Sequence, residues 1–110
     1  MVDSPTIRPI DTDDAGEVLT IQRAAFASEA LIYGDPDMPP LTQTLEELRA
    51  ELVENLGCVA VTDHRIVGAV RARRAGELLL IGRLAIAPDQ QGEGLGTLLL
   101  AAVEERGGEA

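Results

Sequence analysis

The chain has 110 residues, 45% of them hydrophobic and 25% charged, with a formal net charge of −10 and nine basic residues that are all arginine. Those proportions are those of one globular domain with a single core. They argue against nucleic acid, whose phosphates an acidic surface repels, and suit a positively charged small partner such as an amine. No run approaches the roughly 18 apolar residues of a membrane span. The one cysteine, Cys58, permits no internal disulfide, and no spacing of ligating residues resembles a metal cluster. The N-terminus lacks a basic segment followed by an apolar one, so no signal peptide is visible and the expected compartment is the cytoplasm.

In chain order, Thr6 to Ile10 is bounded by prolines and alternates weakly, which predicts a short strand. Asp11-Thr12-Asp13-Asp14 supplies cap residues and first-turn acids for a helix over 13–28, with Val18, Leu19, Ile21, Ala25 and Phe26 on one face. Residues 33–40, Tyr-Gly-Asp-Pro-Asp-Met-Pro-Pro, read as loop. Thr44 with Glu47 three residues later is a capping box. Leu45, Leu48, Leu52 and Leu56 continue it as a second helix, for which Gly57 is the expected C-cap. The texture then turns β-rich. Strands are predicted over 58–62, 66–72 and 78–87, separated by the polar breaks Asp63-His64-Arg65 and 73–77, and their order suggests an antiparallel meander. A last helix carries Leu95, Leu98, Leu99, Ala102 and Val103 at i, i+3, i+4, i+7 and i+8, and Gly107-Gly108 should end it. The class is α+β: strand, helix, helix, three antiparallel strands, helix.

Between the longest strand and the last helix lies Pro88-Asp89-Gln90-Gln91-Gly92-Glu93-Gly94-Leu95-Gly96-Thr97. A glycine-rich turn opening a helix gathers free backbone N–H groups at the positive end of the helix dipole, an arrangement suited to phosphate oxygens. Glycine allows the backbone to approach closely; the competing reading is a tight strand-to-helix turn with no ligand. A Walker-type loop is excluded because the protein contains no lysine. A dinucleotide fingerprint fits poorly, since the third glycine is misplaced and antiparallel strands precede the turn.

Gln91-Gly92-Glu93-Gly94-Leu95-Gly96 fits Gln/Arg-x-x-Gly-x-Gly/Ala, and with it the chain resembles the GNAT superfamily of acyl-CoA-dependent N-acetyltransferases. The strand ending Leu84-Ala85-Ile86-Ala87-Pro88, the helix opening Thr97-Leu98-Leu99-Leu100 and the hairpin Asp63-His64-Arg65-Ile66-Val67-Gly68 extend the likeness over nearly the whole chain. The resemblance implies acetyl-CoA as cosubstrate, with no metal. The pantetheine arm would lie along Leu84 and Ile86, with Ala85 between them, and the pyrophosphate on the N–H groups of Gln91, Gly92, Glu93, Gly94, Leu95, Gly96 and Thr97. It implies transfer of an acetyl group to a primary amine on a small molecule or peptide, with a thioester-oxygen donor from the backbone N–H of Ile86.

An amine of pKa near 10 is about one part in a thousand neutral at pH 7, so a proton acceptor is needed. Candidates are Glu77 at the start of the long strand and Asp35 and Asp37 in the first interhelical loop, with Tyr33 beside them as a pocket residue. Each has a bland alternative as a solvated turn or packing residue. His64 reads as an exposed hairpin residue and Cys58 as a small buried hydrophobe. Glu93 stands where the family often has a basic residue. Arg71, Arg73 or Arg83 could offset its charge or simply face solvent.

Family members continue past this helix with a further strand, a helix that often bears a thiolate-protonating tyrosine, and a hairpin. Residues 1–110 therefore read as a single GNAT-like domain that stops after the CoA-binding helix, its sheet left incomplete or completed by a partner. The exposed edge of residues 78–87 predicts a homo-oligomer. An alternative role is a non-catalytic CoA-binding or dimerisation module; a plain acidic structural domain is a third.

Overall fold

The β-rich segments fold together as a meander, and the N-terminal strand joins its far side. A computed structural model of the chain describes residues 5–34, 37, 39–54, 56–92 and 94–108. The elements run β1 (Thr6–Pro9), a 3-10 turn (Thr12–Asp14), α1 (Ala15–Tyr33), α2 (Pro39–Thr42), α3 (Leu45–Glu54), β2 (Leu56–Thr62), β3 (Arg65–Ala75), β4 (Leu78–Ile86), a second 3-10 turn (Pro88–Gln90) and α4 (Leu95–Gly108). All neighbouring strands pair antiparallel in the order β1-β2-β3-β4, which leaves β4 as an open edge among the described residues.

Both faces of the sheet's centre are covered, so β2 and the first part of β3 are apolar on both sides. On one face, Val18, Leu19 and Ile21 of α1 and Leu48 and Leu52 of α3 pack on Val59, Ile66, Ala69 and Ala85. On the other, Leu95, Leu99 and Val103 of α4 pack on Cys58, Ala60, Val67 and Val70. Two-residue turns fix the register. Asp63 and His64 both take positive φ, 51° and 66°, between β2 and β3, and Gly76 (φ 63°) precedes Glu77 between β3 and β4. No helix among the described residues is long and apolar enough to cross a membrane.

The structure corrects several boundaries. The first helix runs past residue 28 to Tyr33, because no breaker intervenes before Gly34, which caps it in the left-handed conformation with its N–H donating to Ala30 O. The segment read as loop contains the start of α2, whose Pro39 occupies a first-turn position where a missing N–H costs nothing. The Thr44 capping box forms as expected: Thr44 N donates to Glu47 Oε1 at 2.9 Å and Glu47 N to Thr44 Oγ1 at 3.1 Å. Leu56 and Gly57, however, belong to β2 rather than to the helix and its cap. Gly57 is required there by contact. A Cβ at this position would lie 2.6 Å from Ile10 Cγ2 and 3.1 Å from Val70 O, while Gly57 O accepts from Ile10 N at 3.0 Å. In the last helix Leu98 is half-exposed rather than buried, because α4 lies over β2 and β3 and needs only the narrower stripe of Leu95, Leu99 and Val103. That helix also carries through to Gly108 instead of ending before the two glycines.

Gly57→Ala should destabilise the fold by about 1–3 kcal/mol, the usual cost of an overpacked site. Urea denaturation checks this, and an unchanged midpoint would mean that Ile10 yields freely.

Candidate functional site

The organising feature is a change of register in the edge strand. Between Ala69 and Arg71 β3 advances two residues, while its partner β4 steps three, from Ala85 back to Gly82. The extra residue is a β-bulge, and Arg83 sits in it at φ 54°, a left-handed conformation that non-glycine residues seldom adopt. Beyond the bulge, Ala87 N donates to Val67 O at 2.9 Å. By the alternation of an antiparallel ladder, Ala85 then directs its main chain toward Ala69, and Leu84 and Ile86 present N–H and C=O to the open edge. Ala85, expected on the edge with them, is instead a buried part of the α1–α3 core. Ile86 O accepts a hydrogen bond from Gln91 Nε2 at 3.3 Å, so the first residue of the glycine turn is tied back to the strand.

The turn itself is open. Gly92 and Gly94 have φ of 85° and 83°, and a Cβ on either would meet nothing within 4 Å. Leu98 N donates to Gly94 O at 3.3 Å, the first bond of α4. The N–H groups of Leu95, Gly96 and Thr97 precede that bond and have no partner among the described residues. Gly96 lies against the strand, its Cβ position 3.5 Å from Leu84 Cδ2. Glu93 lies outside the described residues. An ion pair absent from the sequence reading steadies the approach to the turn. Both Nη atoms of Arg65 donate to the carboxylate of Asp89, at 2.9 and 2.8 Å, and this hydrogen bonding holds the Asp89 carboxyl down at about 2.

On the opposite face of the sheet, beside the same bulge, is a cleft of about 190 Å³ lined by Glu51, Arg71, Arg73, Leu80, Gly82 and Arg83, among others. Arg71 is only 4% exposed. Its Nη1 donates to Gln22 Oε1 at 2.9 Å and its Nη2 to Gln43 Oε1 at 3.2 Å, while Gln22 Nε2 donates to Gln43 Oε1 at 3.0 Å. Glu51 Oε2 lies 2.7 Å from Arg71 Nε. That contact is an ion pair by distance; the same oxygen has no well-aligned hydrogen-bond donor. Burial pulls the Arg71 guanidinium below its usual value, Glu51 opposes the shift, and the positive charge of Arg83 adds to it. Arg71, Arg73 and Arg83 thus line a cleft on the α1–α3 face; of the two roles the sequence left open for them, facing solvent holds for Arg73, which is exposed, while Arg71 is buried.

Of the residues considered for proton transfer, Glu77 is exposed in the β3–β4 turn, seven residues from Leu84 and therefore roughly 24 Å along the strand. Tyr33 ends α1, with its side chain outside the described set; Asp35 lies outside the described residues altogether, and Asp37 is an exposed turn residue. His64 is exposed in the hairpin, and Cys58 is buried, which pushes its thiol up, as fits a small core residue. The sequence reading missed the group of Gln22, Gln43, Glu51 and Arg71. One signal was available, since Gln22 interrupts the apolar stripe of α1 one position after Ile21 and four after Val18.

Residues 18–110 match the family model described as "Acetyltransferase (GNAT) family". No curated protein matches the chain. Among solved structures, the PaiA N-acetyltransferase of Thermoplasma acidophilum in complex with coenzyme A superposes with a TM-score of 0.75 at 19% identity, over 94% of this chain and 71% of that one. A GNAT family acetyltransferase from Brucella melitensis in complex with acetyl-CoA gives a TM-score of 0.68 at 24% identity, over 96% of this chain and 71% of that one. The ribosomal-protein-S18-alanine N-acetyltransferase of Escherichia coli gives 0.72 at 16% identity, over 93% of this chain and 58% of that one.

The glycines of the turn should differ in what they tolerate. Gly94→Ala forces a Cβ into a left-handed position and should cost about 1–2 kcal/mol. Gly96→Ala, in the first turn of α4 with ordinary contact to Leu84, should leave stability unchanged or raise it by up to about 1 kcal/mol. Paired thermal melts of the two variants read the difference.

Proposed function

The chain belongs to the acetyltransferase (GNAT) family, and we propose that it moves an acetyl group from acetyl-CoA to an amine, with the glycine turn as the pyrophosphate site. The observation that supports this most directly is the row of N–H groups on Leu95, Gly96 and Thr97 that have no partner among the described residues, beside the open space at Gly92 and Gly94. Diphosphate oxygens fit such a cradle, because the donors are backbone, the helix dipole adds positive potential, and no described atom lies within 4 Å of a Cβ at Gly92 or Gly94. The strand edge at Leu84 and Ile86 leads from this cradle to the bulge and offers main-chain partners to an amide-containing arm.

When bound, acetyl-CoA would supply a thioester whose carbonyl carbon forms a bond to the neutral amine nitrogen as its C–S bond breaks, the sulfur leaving with the electron pair as thiolate and the proton from nitrogen passing to solvent water or to that thiolate. The chain's own residues supply position and polarity. Gln91 braces the turn against Ile86 O, and the Arg65–Asp89 pair braces the segment before it. The outward N–H of Ile86 is the donor proposed for the developing oxyanion. Holding both reactants at one bulge converts a bimolecular encounter into an intramolecular one.

Calorimetric titration of the purified chain with acetyl-CoA tests the reading, and absence of binding at millimolar ligand would overturn it. Glu93→Gln should tighten the isotherm several-fold, because a carboxylate near the diphosphate is removed; an unchanged or weaker affinity would put Glu93 away from the site. Binding with no thiol released in the presence of any amine would instead identify a non-catalytic CoA-binding module.

The edge of β4 supports a second copy as partner, since Leu78 and Leu80 are 66% and 41% exposed beside unpaired main chain. Light scattering should find a dimer, and a monodisperse monomer at high concentration would remove this part of the proposal.

A further inference from the structure

We infer that the acceptor of this acetyltransferase is an amine that also carries a carboxylate, an amino-acid type of molecule whose anionic end is held in the cleft by Arg83 and Arg73. The inference rests on the acyl-transfer reading above and gives it a substrate class.

Four features of the cleft support this. Its lining carries three guanidinium groups, Arg71, Arg73 and Arg83, against the single carboxylate of Glu51. Glu51 is committed to Arg71 at 2.7 Å, and among the described residues no carboxylate lies within ion-pair distance of Arg73 or Arg83. Among the described side chains two positive charges are therefore left over beside a third that is buried, and Arg83 already perturbs Arg71 electrostatically. An anion entering between them relieves that repulsion and gains charge-assisted hydrogen bonds. Thirdly, Arg83 is held at φ 54° in the bulge, where a residue without a Cβ would be unstrained. The bulge thus places Arg83, a residue of the cleft lining, next to Leu84 on the strand edge proposed for the cosubstrate. Finally, Gly82 leaves the cleft floor open: a Cβ there meets nothing within 4 Å.

Placement and size then select the ligand. The cleft opens on the α1–α3 face and the glycine turn lies at the head of α4 on the other face, so an acceptor and an acyl donor reach the bulge from opposite sides. A volume of 190 Å³ corresponds to roughly six waters at about 30 Å³ each, enough for a small amino acid. The chain's overall charge of −10 suggested a cationic acceptor, but screening confines charge effects to about 8–10 Å, so the local excess of arginine decides.

The test titrates the full chain, first with acetyl-CoA and then, in the presence of CoA, with L-glutamate, L-alanine, L-alaninamide and putrescine. The two carboxylate-bearing amines should bind, alaninamide should be at least about tenfold weaker than alanine, and putrescine should give no isotherm. Two variants separate the cleft from the fold. Arg83→Gly removes the guanidinium and relaxes the strained position, and Gly82→Leu fills the floor without touching a charge. Each should weaken L-glutamate binding about tenfold or more while leaving the acetyl-CoA isotherm unchanged. Raising the salt from 0.05 to about 0.5 M should weaken glutamate as well. Equal binding of alanine and alaninamide, preference for putrescine, no isotherm with either amino acid, or full glutamate affinity in both variants would each overturn the inference. Loss of acetyl-CoA binding in the unmodified chain would overturn the acyl-transfer reading instead, and the two failures are read in separate titrations.

Discussion

Arg71 is the residue whose requirements shape this half of the molecule. A guanidinium cannot shed its charge, so burying one demands partners for its N–H groups and a compensating anion. The partners come from three separate elements: Gln22 from α1, Gln43 from the segment before α3, and Glu51 from α3 itself. β3 is thereby tied to both helices of its face at one point, near the end of the sheet where the apolar contacts of Val18, Leu48 and Ala69 give way. Removing Glu51 would strand the buried charge of Arg71, whereas Glu51 itself is about one third exposed and would keep part of its hydration if Arg71 were lost. The group is also what keeps the cleft open: side chains holding one another by hydrogen bonds cannot collapse into the space beside them as apolar side chains would.

The same strand pair explains why two differently charged sites meet without interfering. β3 and β4 alternate their side chains, so the face that carries Arg71 and Arg73 receives α1 and α3, while the intervening Val70 and Ala72 receive α4. The bulge at Arg83 is where that alternation is interrupted. One inserted residue turns Leu84 and Ile86 outward on the edge and holds Arg83 at the cleft. The glycine turn makes a cradle of backbone N–H groups at the head of α4, and the single extra residue in β4 sets a cationic cleft beside the strand edge that leads to it.

Most of the fold was legible because its signals are local. The capping box at Thr44, the apolar strands, the proline after Ala87 and the glycine turn each state their own conformation, and the element order follows from them. The misplaced boundaries occurred where a local rule met a tertiary contact. Gly57 satisfies the pattern of a helix cap, yet Ile10 lies across it and needs a strand with no side chain there. Leu98 fits the helical stripe, but the stripe is wider than the surface α4 covers. The glycine cradle was readable since its residues are contiguous. The arginine cluster was visible too but could not be interpreted, because Arg71 acquires meaning only from Gln22, Gln43 and Glu51, twenty or more residues away in sequence.

The contrast between net charge and local charge follows from the same separation. Nineteen acidic residues against nine arginines describe the surface as a whole and favour cations at long range. Several of those carboxylates already have partners: Asp14 with Arg8, Asp89 with Arg65 and Glu51 with Arg71. What a ligand meets within a Debye length is set by the charges that remain unpaired there. Among the described residues lining the cleft at the bulge these are the guanidinium groups of Arg73 and Arg83. An acidic protein can therefore present a cationic pocket, and the pairing pattern, more than the composition, determines what the pocket accepts.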